Sequence, residues 1–469
     1  MRIYEINTRI FCDRFDRISE EQLSRLAGLG FDAVWLMGVW RIGEGAKKIS
    51  RTISPDFNGS PYAIAGYDLS PDLGGLGAYQ TFRERARAVG LKVLLDFIPN
   101  HMGLDSEWIS ENSKLFITSN PAVRKQDPSE FFLHPSGEVV AHGKDPYFPP
   151  WYDTAQLDYS SAELRSRQID KLIGISKVAD GVRCDMAMLI LKDYIKQRWY
   201  PAAPDAWFDE RMPAEFWGQA IAVVKQEAPG FIFLAEAYWG KEPDLQRLGF
   251  DLTYEKTVYD ALVERSASRV YDRLRQPAQV LESSLFFIEN HDEARAASVF
   301  SPDENTAAMA LILSLPGSSL VHQGQMEGLK ERLAIQLPRP IHSEMPDQVL
   351  EEAYEKLLRA TAAGVFKAGV FRLFNSQDPD VVAFARVDSQ TIAAYLGQIG
   401  GEAGHFARAL LDVTPLAELA RATSVVRITD MIGKNSVLVS TNRGSFTFVP
   451  ASLGLAPTTR FCLVRVEPA

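Results

Sequence analysis

Cysteine is scarce in this chain: three in 469 residues, at Cys12, Cys184 and Cys462. So few, so widely spaced, exclude a disulfide framework and a cysteine-built zinc site, and they fit a reducing compartment. No G-x-G-x-x-G follows the first strand-like run, which removes the obvious dinucleotide-binding fold. Long apolar runs are missing as well; the best, at 307–315, stops at Pro316-Gly317, short of a membrane span. The opening MRIYEINTRIF has no charged segment followed by an apolar one, so a cytoplasmic location is expected. Positive charge is in deficit, 50 Lys and Arg against 60 Asp and Glu, for a formal net charge of −10. Nucleic acid and anionic membrane are therefore not expected partners, since both call for a basic surface. Internal repeats and low-complexity tracts are lacking too. A hydrophobic fraction of 46% is enough for a full core and excludes disorder as the main state.

What is present is alternation. Short β-branched and aromatic runs at 3–6, 33–37, 93–96, 181–185, 231–236, 252–254, 285–289 and 319–322 read as strands. Six of them are continuous apolar runs, the pattern of strands covered on both faces. Helical periodicity falls between them at 20–29, 79–89, 162–178, 214–227, 256–275 and 306–315. Eight strands with intervening helices predict an α/β protein built on a closed (β/α)8 TIM barrel. About sixty residues rich in Pro, Gly and aromatics separate the third strand from its helix, and a loop that long predicts a small inserted domain. After 362 the helical pattern gives way to strand-like runs at 381–384, 392–395, 424–428, 436–440, 446–449 and 461–466, expected to form a C-terminal antiparallel β-sandwich; 407–422 reads as helix or strand. The expected division is 1–100 with 161–362 for the barrel, 101–160 for the insertion and 363–469 for the sandwich.

Barrels keep their chemistry at the C-terminal ends of the strands. The third strand ends in Asp96-Phe-Ile-Pro-Asn100-His101, the fourth in Arg183-Cys-Asp185, the fifth in Glu236-Ala-Tyr238-Trp239 and the seventh in Glu289-Asn290-His291-Asp292. Taken singly, each has an ordinary explanation: a turn or cap carboxylate, an ion-pair arginine, a hydrogen-bonded core histidine, a packed aromatic. Structural caps have no reason to gather on one rim in polar sets. Such a carboxylate cluster suits a metal or an oxocarbenium-like transition state. For retaining glycoside cleavage, one carboxylate must be ionised and another protonated. Asp185, beside Arg183, is expected to stay ionised, because a guanidinium lowers a neighbouring carboxyl pKa. Glu236, following Phe233, Leu234 and Ala235, is expected to be held protonated by apolar surroundings. Asp292 would then stabilise positive charge at the anomeric carbon.

DFIPNH, GVRCD, the Glu of FLAEAYW and FIENHD resemble, in order, the four conserved regions of the α-amylase family of retaining glycoside hydrolases. Ser60-Pro-Tyr62-Ala-Ile-Ala-Gly-Tyr67 is similar to that family's two-tyrosine segment, and Gln156-Leu-Asp158-Tyr to the motif that closes its inserted domain. The resemblance covers essentially the whole chain. It implies Asp185 as nucleophile, Glu236 as general acid/base and Asp292 as transition-state stabiliser. It also implies Tyr62, Asp96, His101, Arg183, Tyr238, Trp239 and His291 as substrate-binding residues, Tyr62 being the platform under the sugar that is cleaved. The implied substrate is a maltooligosaccharide or related α-glucan, with hydrolysis and transglycosylation sharing every residue named. No cofactor is expected. Asn100 matches a calcium-ligand position of the family, but Met188 and Leu189 replace the Lys and His found in many amylases and Leu189 offers only a backbone carbonyl, so a calcium site of six to eight oxygens is not secured by the sequence. His134 and His142, eight apart in the insertion, are expected to be surface or hydrogen-bonding residues, and Cys184 a small buried neighbour of the site. The rival functions are a catalytically silent carbohydrate-binding protein on the same barrel and a carboxylate metalloenzyme.

Overall fold

A computed structural model describes residues 1–469 apart from 341–342, 363, 375–377, 389–390, 402–405, 407–410, 413–424, 441–446, 457 and 469. Eight parallel strands close into a barrel: β1 (Arg2–Asn7), β2 (Ala33–Met37), β3 (Lys92–Phe97), β4 (Gly181–Cys184), β5 (Ile232–Ala235), β6 (Leu252–Tyr254), β7 (Ser284–Phe286) and β8 (Ser318–His322). Each strand pairs with its neighbour in the chain and β8 closes onto β1, with Arg2 opposite Ser319 and Glu5 opposite His322. The strands are short and buried on both sides because helices cover the outside and side chains fill the inside. The fold is thus the (β/α)8 barrel expected from the alternation.

Two additions sit on this frame. Between β3 and its helix (Ala162–Ser176) the chain makes an excursion with a three-stranded antiparallel sheet of Thr118–Ser119, Val139–Ala141 and Phe131–Leu133. Its two ends are tied together: His101–Gly103 pairs with Thr154–Gln156, the Gln156 Nε2 amide donates to Asn100 O and Oδ1 at 3.0 Å each, and Tyr159 Oη donates to Pro99 O at 2.8 Å. A loop closed at its base in this way can be long without loosening the rim from which it rises.

The C-terminal part is an antiparallel sheet of β9 (Val370–Leu373), β10 (Val381–Val387), β11 (Ile392–Gln398), β12 (Val425–Asp430), β13 (Ser436–Ser440) and β14 (Phe461–Pro468), in the order β9-β10-β11-β14-β12-β13, with a separate pair, Leu411–Asp412 and Thr447–Phe448. Strand β9 has no counterpart among the expected runs; it is a partly exposed edge strand, so it shows no clear apolar alternation. Most of 407–422 lies outside the described residues. Period-2 alternation sends Val382, Phe384, Ala393 and Tyr395 into the barrel's core and Val381, Ala383, Ala385 and Ala394 into a second one. The sheet therefore covers the helix Pro302–Ser314, and Tyr395 Oη donates to Ala307 O at 3.1 Å. That explains the apolar run at 307–315: the helix is buried on nearly all sides, and among the described residues no helix is long and apolar enough to cross a membrane.

One expected helix is divided. Residues 256–275 form Lys256–Val263 and Ala267–Leu274, broken at Arg265, whose φ of +55° a continuous helix cannot contain. Both halves keep the apolar stripe, which is why periodicity alone joined them.

At the foot of β4, a Cβ on Gly181 would meet Ile232 O of β5 at 2.7 Å. Gly181 shares the barrel interior with Arg183, and the close strand approach it permits sets the spacing of β4 and β5. Gly181→Ala should lower the melting temperature by the equivalent of about 1–3 kcal/mol, the usual cost of overpacking, in a thermal unfolding measurement. An unchanged melting temperature would show that the two strands can part without cost.

Candidate active site

Beyond their paired residues, β4 and β5 continue in register for one more step: Asp185 N donates to Phe97 O at 2.8 Å and Glu236 N to Cys184 O at 3.0 Å. Asp185 and Glu236 thus stand side by side on the C-terminal rim. Side-chain alternation puts Arg183 and Asp185 on the same side, inside the barrel, while Cys184 turns into the packing around it. Arg183 is fully buried. Its Nη1 donates to Asp185 Oδ1 at 2.6 Å, and Nη2 lies 2.8 Å from Glu236 Oε2 as an ion pair without hydrogen-bond alignment. Aromatic faces complete its surroundings, Trp35 and Tyr62 at 5.2 Å and Tyr254 at 5.7 Å from ring centre to guanidinium.

Glu236 has two further partners. Tyr238 Oη donates to its Oε1 at 2.8 Å, and the Met186 amide donates to Oε2 at 2.6 Å. Met186 has φ +42°, a left-handed backbone that costs a non-glycine residue roughly 1–2 kcal/mol. The turn begins at the residue whose amide meets Glu236.

Burial, reinforced by the charges of Asp185 and Asp292, outweighs Arg183 and the Met186 amide and pushes the Glu236 carboxyl up to about 7. Asp185 is also raised: burial is the larger influence, opposed by the charge and hydrogen bond of Arg183. Arg183 thus acts on Asp185 in the expected direction, with the removal of water working against it. Asp292 goes the other way, to about 2; burial would raise it, but the His291 imidazolium and the more distant Arg183 and Arg332 prevail.

His291 Nε2 lies 3.0 Å from Asp292 Oδ2 and 3.0 Å from Tyr62 Oη, and the Tyr62 and His291 rings are 5.8 Å apart. The structure therefore brings Asp185, Glu236, Arg183, Tyr238, Tyr62, His291 and Asp292 into one connected cluster. Asp292 is the open member, its side chain 39% exposed against 8% for Asp185 and 4% for Glu236. Cavities flank the cluster. One of about 510 Å³ runs past Asn290, His291, His322 and Arg332, and one of about 560 Å³ past Met186, Tyr238, Trp239 and Phe148.

Three of the expected substrate-binding residues are placed differently. Asp96 spends both oxygens within the protein, accepting from Trp35 Nε1 at 3.0 Å and Gly38 N at 2.6 Å, and burial raises it to about 6. His101 packs on Trp151 with ring centres 5.1 Å apart, and burial lowers it to about 3, leaving it neutral. Trp239, with φ +59°, stands on the outer rim between Tyr147 and Tyr194. Histidines 134 and 142 are buried and hydrogen-bonded, to Ser136 Oγ and to Thr154 O respectively, not surface residues. The Asn100 amide oxygen is taken by Gln156 Nε2, and among the described residues no three His, Cys, Asp or Glu side chains cluster as metal ligands.

Sequence reasoning missed Glu5, Trp35 and Tyr254. Each lies on a strand assigned only to the core. A carboxylate between Tyr4 and Ile6 in the middle of β1 was the available signal, since a buried charge demands a partner.

A family model for the α-amylase catalytic domain matches residues 18–360. The chain belongs to the α-amylase family. Among curated relatives, Alpha-amylase MalA of Haloarcula japonica is 26% identical over 344 residues, covering 70% of this chain and 44% of that protein. An Alpha-glucosidase of Culex pipiens is 24% identical over 393 residues, covering 70% of this chain and 63% of that protein. The chain thus spans about two fifths to three fifths of the length of these curated relatives. Among solved structures, the maltogenic alpha-amylase AmyB of Thermotoga neapolitana superimposes with a TM-score of 0.74 at 20% identity, covering 100% of this chain and 99% of that one. At that identity the likeness speaks for the fold.

Because the folded-state pKa of Glu236 lies above its unfolded value, the folded protein binds that proton more tightly, and the stability this contributes is lost as pH rises through about 7. Carboxyl ¹³C NMR of glutamate-labelled protein, with Glu236→Gln as the assignment control, should show one resonance titrating near 7. A midpoint in the ordinary range near 4.5 would contradict the environment described.

Proposed function

We propose that this chain is a retaining α-glycosidase acting on α-glucosidic linkages of maltooligosaccharides or related α-glucans. The observation that carries this reading is the single guanidinium shared by two adjacent carboxylates, hydrogen-bonded to Asp185 and only ion-paired with Glu236. In the proposed double displacement, Asp185 attacks the anomeric carbon while Glu236 gives its proton to the departing glycosidic oxygen. Glu236, now a carboxylate, takes a proton from the incoming water or hydroxyl, which releases the sugar from Asp185 with its α configuration restored. Asp292, ionised and exposed, faces the oxocarbenium-like charge between the two steps. Tyr62 and His291 line the position of the sugar being cleaved, and Arg183 orients the nucleophile.

Support for the linkage comes from the relatives, an alpha-amylase, an alpha-glucosidase and an α-1,4-glucan:maltose-1-phosphate maltosyltransferase among them. Transfer to a sugar hydroxyl is the second reading. It is favoured by the exposed Trp239, with Tyr147 4.8 Å and Tyr194 6.3 Å away between ring centres, because aromatic faces beside Glu236 suit a sugar acceptor. A three-part division into barrel (1–100 and 161–362), insertion (101–160) and C-terminal sheet domain (363–469) belongs to the same proposal. So does a cytoplasmic setting, supported by three cysteines that are all free and buried.

Asp185→Asn should remove turnover of aryl α-glucosides while leaving the melting temperature within a few degrees. Substantial remaining activity would refute the nucleophile. Glu236→Gln should slow natural glucosides roughly 10²- to 10⁴-fold and activated fluorides far less, because only the former need a proton donor. Equal losses on both would remove the acid role. Proton NMR of the first-formed sugar should show the α anomer, and an initial β product would exclude double displacement.

A further inference from the structure

The first strand carries a buried carboxylate. Glu5 on β1 is fully buried, its Oε1 accepts from His291 Nδ1 at 2.5 Å, and its Oε2 has no hydrogen-bond partner. A half-satisfied buried carboxylate is expensive unless a cation faces it. Strands β1 and β7 are not neighbours in the barrel, since β8 lies between them, so this hydrogen bond crosses the interior.

We infer that Glu5 is a positioning residue for the reaction proposed above: by accepting from His291 Nδ1 it fixes the imidazole ring and aims Nε2 at Asp292 and at the sugar beside Tyr62. Other contacts restrict the ring in the remaining directions. Trp35 meets it edge-on with centres 5.5 Å apart, and Tyr62 lies tilted across it at 5.8 Å. With Nδ1 held as a donor, Nε2 is the nitrogen left for Asp292, and the chain Glu5–His291–Asp292 sets a cation between two anions.

The charges that face His291 come from six strands or their ends. They are Glu5 (β1), Asp96 (β3), Asp185 (β4) and Asp292 (β7) directly, Arg183 (β4) and His322 (β8) through Glu5, and Glu236 (β5) through Asp292. Tyr62 adds its hydroxyl from the segment after β2. Burial lowers His291, but Asp292 and Glu5 more than compensate and hold it well above the ordinary imidazole range. Removing the charge of Glu5 takes away one of those two anions, so His291 should lose its proton at lower pH and Asp292 should lose its fixed partner.

The test pairs a local readout with a kinetic one on the full chain. In ¹⁵N NMR of histidine-labelled protein, assigned with His291→Gln, the wild-type His291 ring should stay doubly protonated well above the pH at which an ordinary imidazole titrates. In Glu5→Gln it should titrate at lower pH. With α-glucosyl fluoride, whose departure needs no acid, kcat/KM of Glu5→Gln should fall roughly 10- to 100-fold, as on loss of an outer supporting partner. It should also acquire a falling alkaline limb absent from the wild type. A wild-type His291 that titrates near 6.5 overturns the inference without any variant, which covers the case in which Glu5→Gln does not fold. A shifted titration with unchanged kcat/KM overturns the positioning role. Failure of the wild type to release fluoride from any α-glycosyl fluoride would instead overturn the functional reading, while the NMR result would still decide the bond between Glu5 and His291.

Discussion

A guanidinium with no solvent holds the rim of this barrel together. Arg183 could not be buried alone; the penalty for an uncompensated interior charge exceeds that of most single contacts. Here Asp185, Glu236 and three aromatic faces compensate it. The compensation is unequal. Asp185 receives an aligned hydrogen bond and Glu236 an ion contact only, so when two carboxylates and one cation must share protons, the proton belongs on Glu236. In the proposed mechanism, inequality within one ion triad separates the nucleophile from the acid.

The rest of the molecule serves that geometry. The parallel register of β4 and β5 sets the two carboxylates side by side, and the Met186 amide meets the second. The insertion is tied at its base by Gln156 and Tyr159, so the rim from which it rises stays fixed. At the far side the C-terminal sheet seals an apolar helix that the barrel alone would leave half exposed.

Much of this was legible before any coordinates. Apolar runs covered on both faces mark barrel strands whatever their sequence, and a polar residue ending such a run has one rim on which to stand. Asp185, Glu236 and His291 could therefore be read as neighbours. What could not be read depends on closure. Which strand meets which across the barrel interior is set by all eight together, so the pairing of Glu5 with His291 left no local pattern. For the same reason Asp96 could be read as a rim carboxylate, while its capture by Trp35 and Gly38 could not. The opposing pull on Asp185, burial against Arg183, was only half visible, because charge can be read in sequence and burial cannot. Arg265 parts a helix that periodicity alone makes continuous, since a single left-handed residue leaves the apolar stripe unchanged.

The central claim is that Asp185 becomes covalently bonded to the sugar. Incubation with a fluorinated α-glucosyl fluoride that slows the second step, followed by proteolysis and mass spectrometry, tests it most directly. The account predicts one glycosyl adduct, on Asp185, with one fluoride released per chain before turnover stalls. An adduct on any other side chain, or steady turnover with no covalent species, would contradict it.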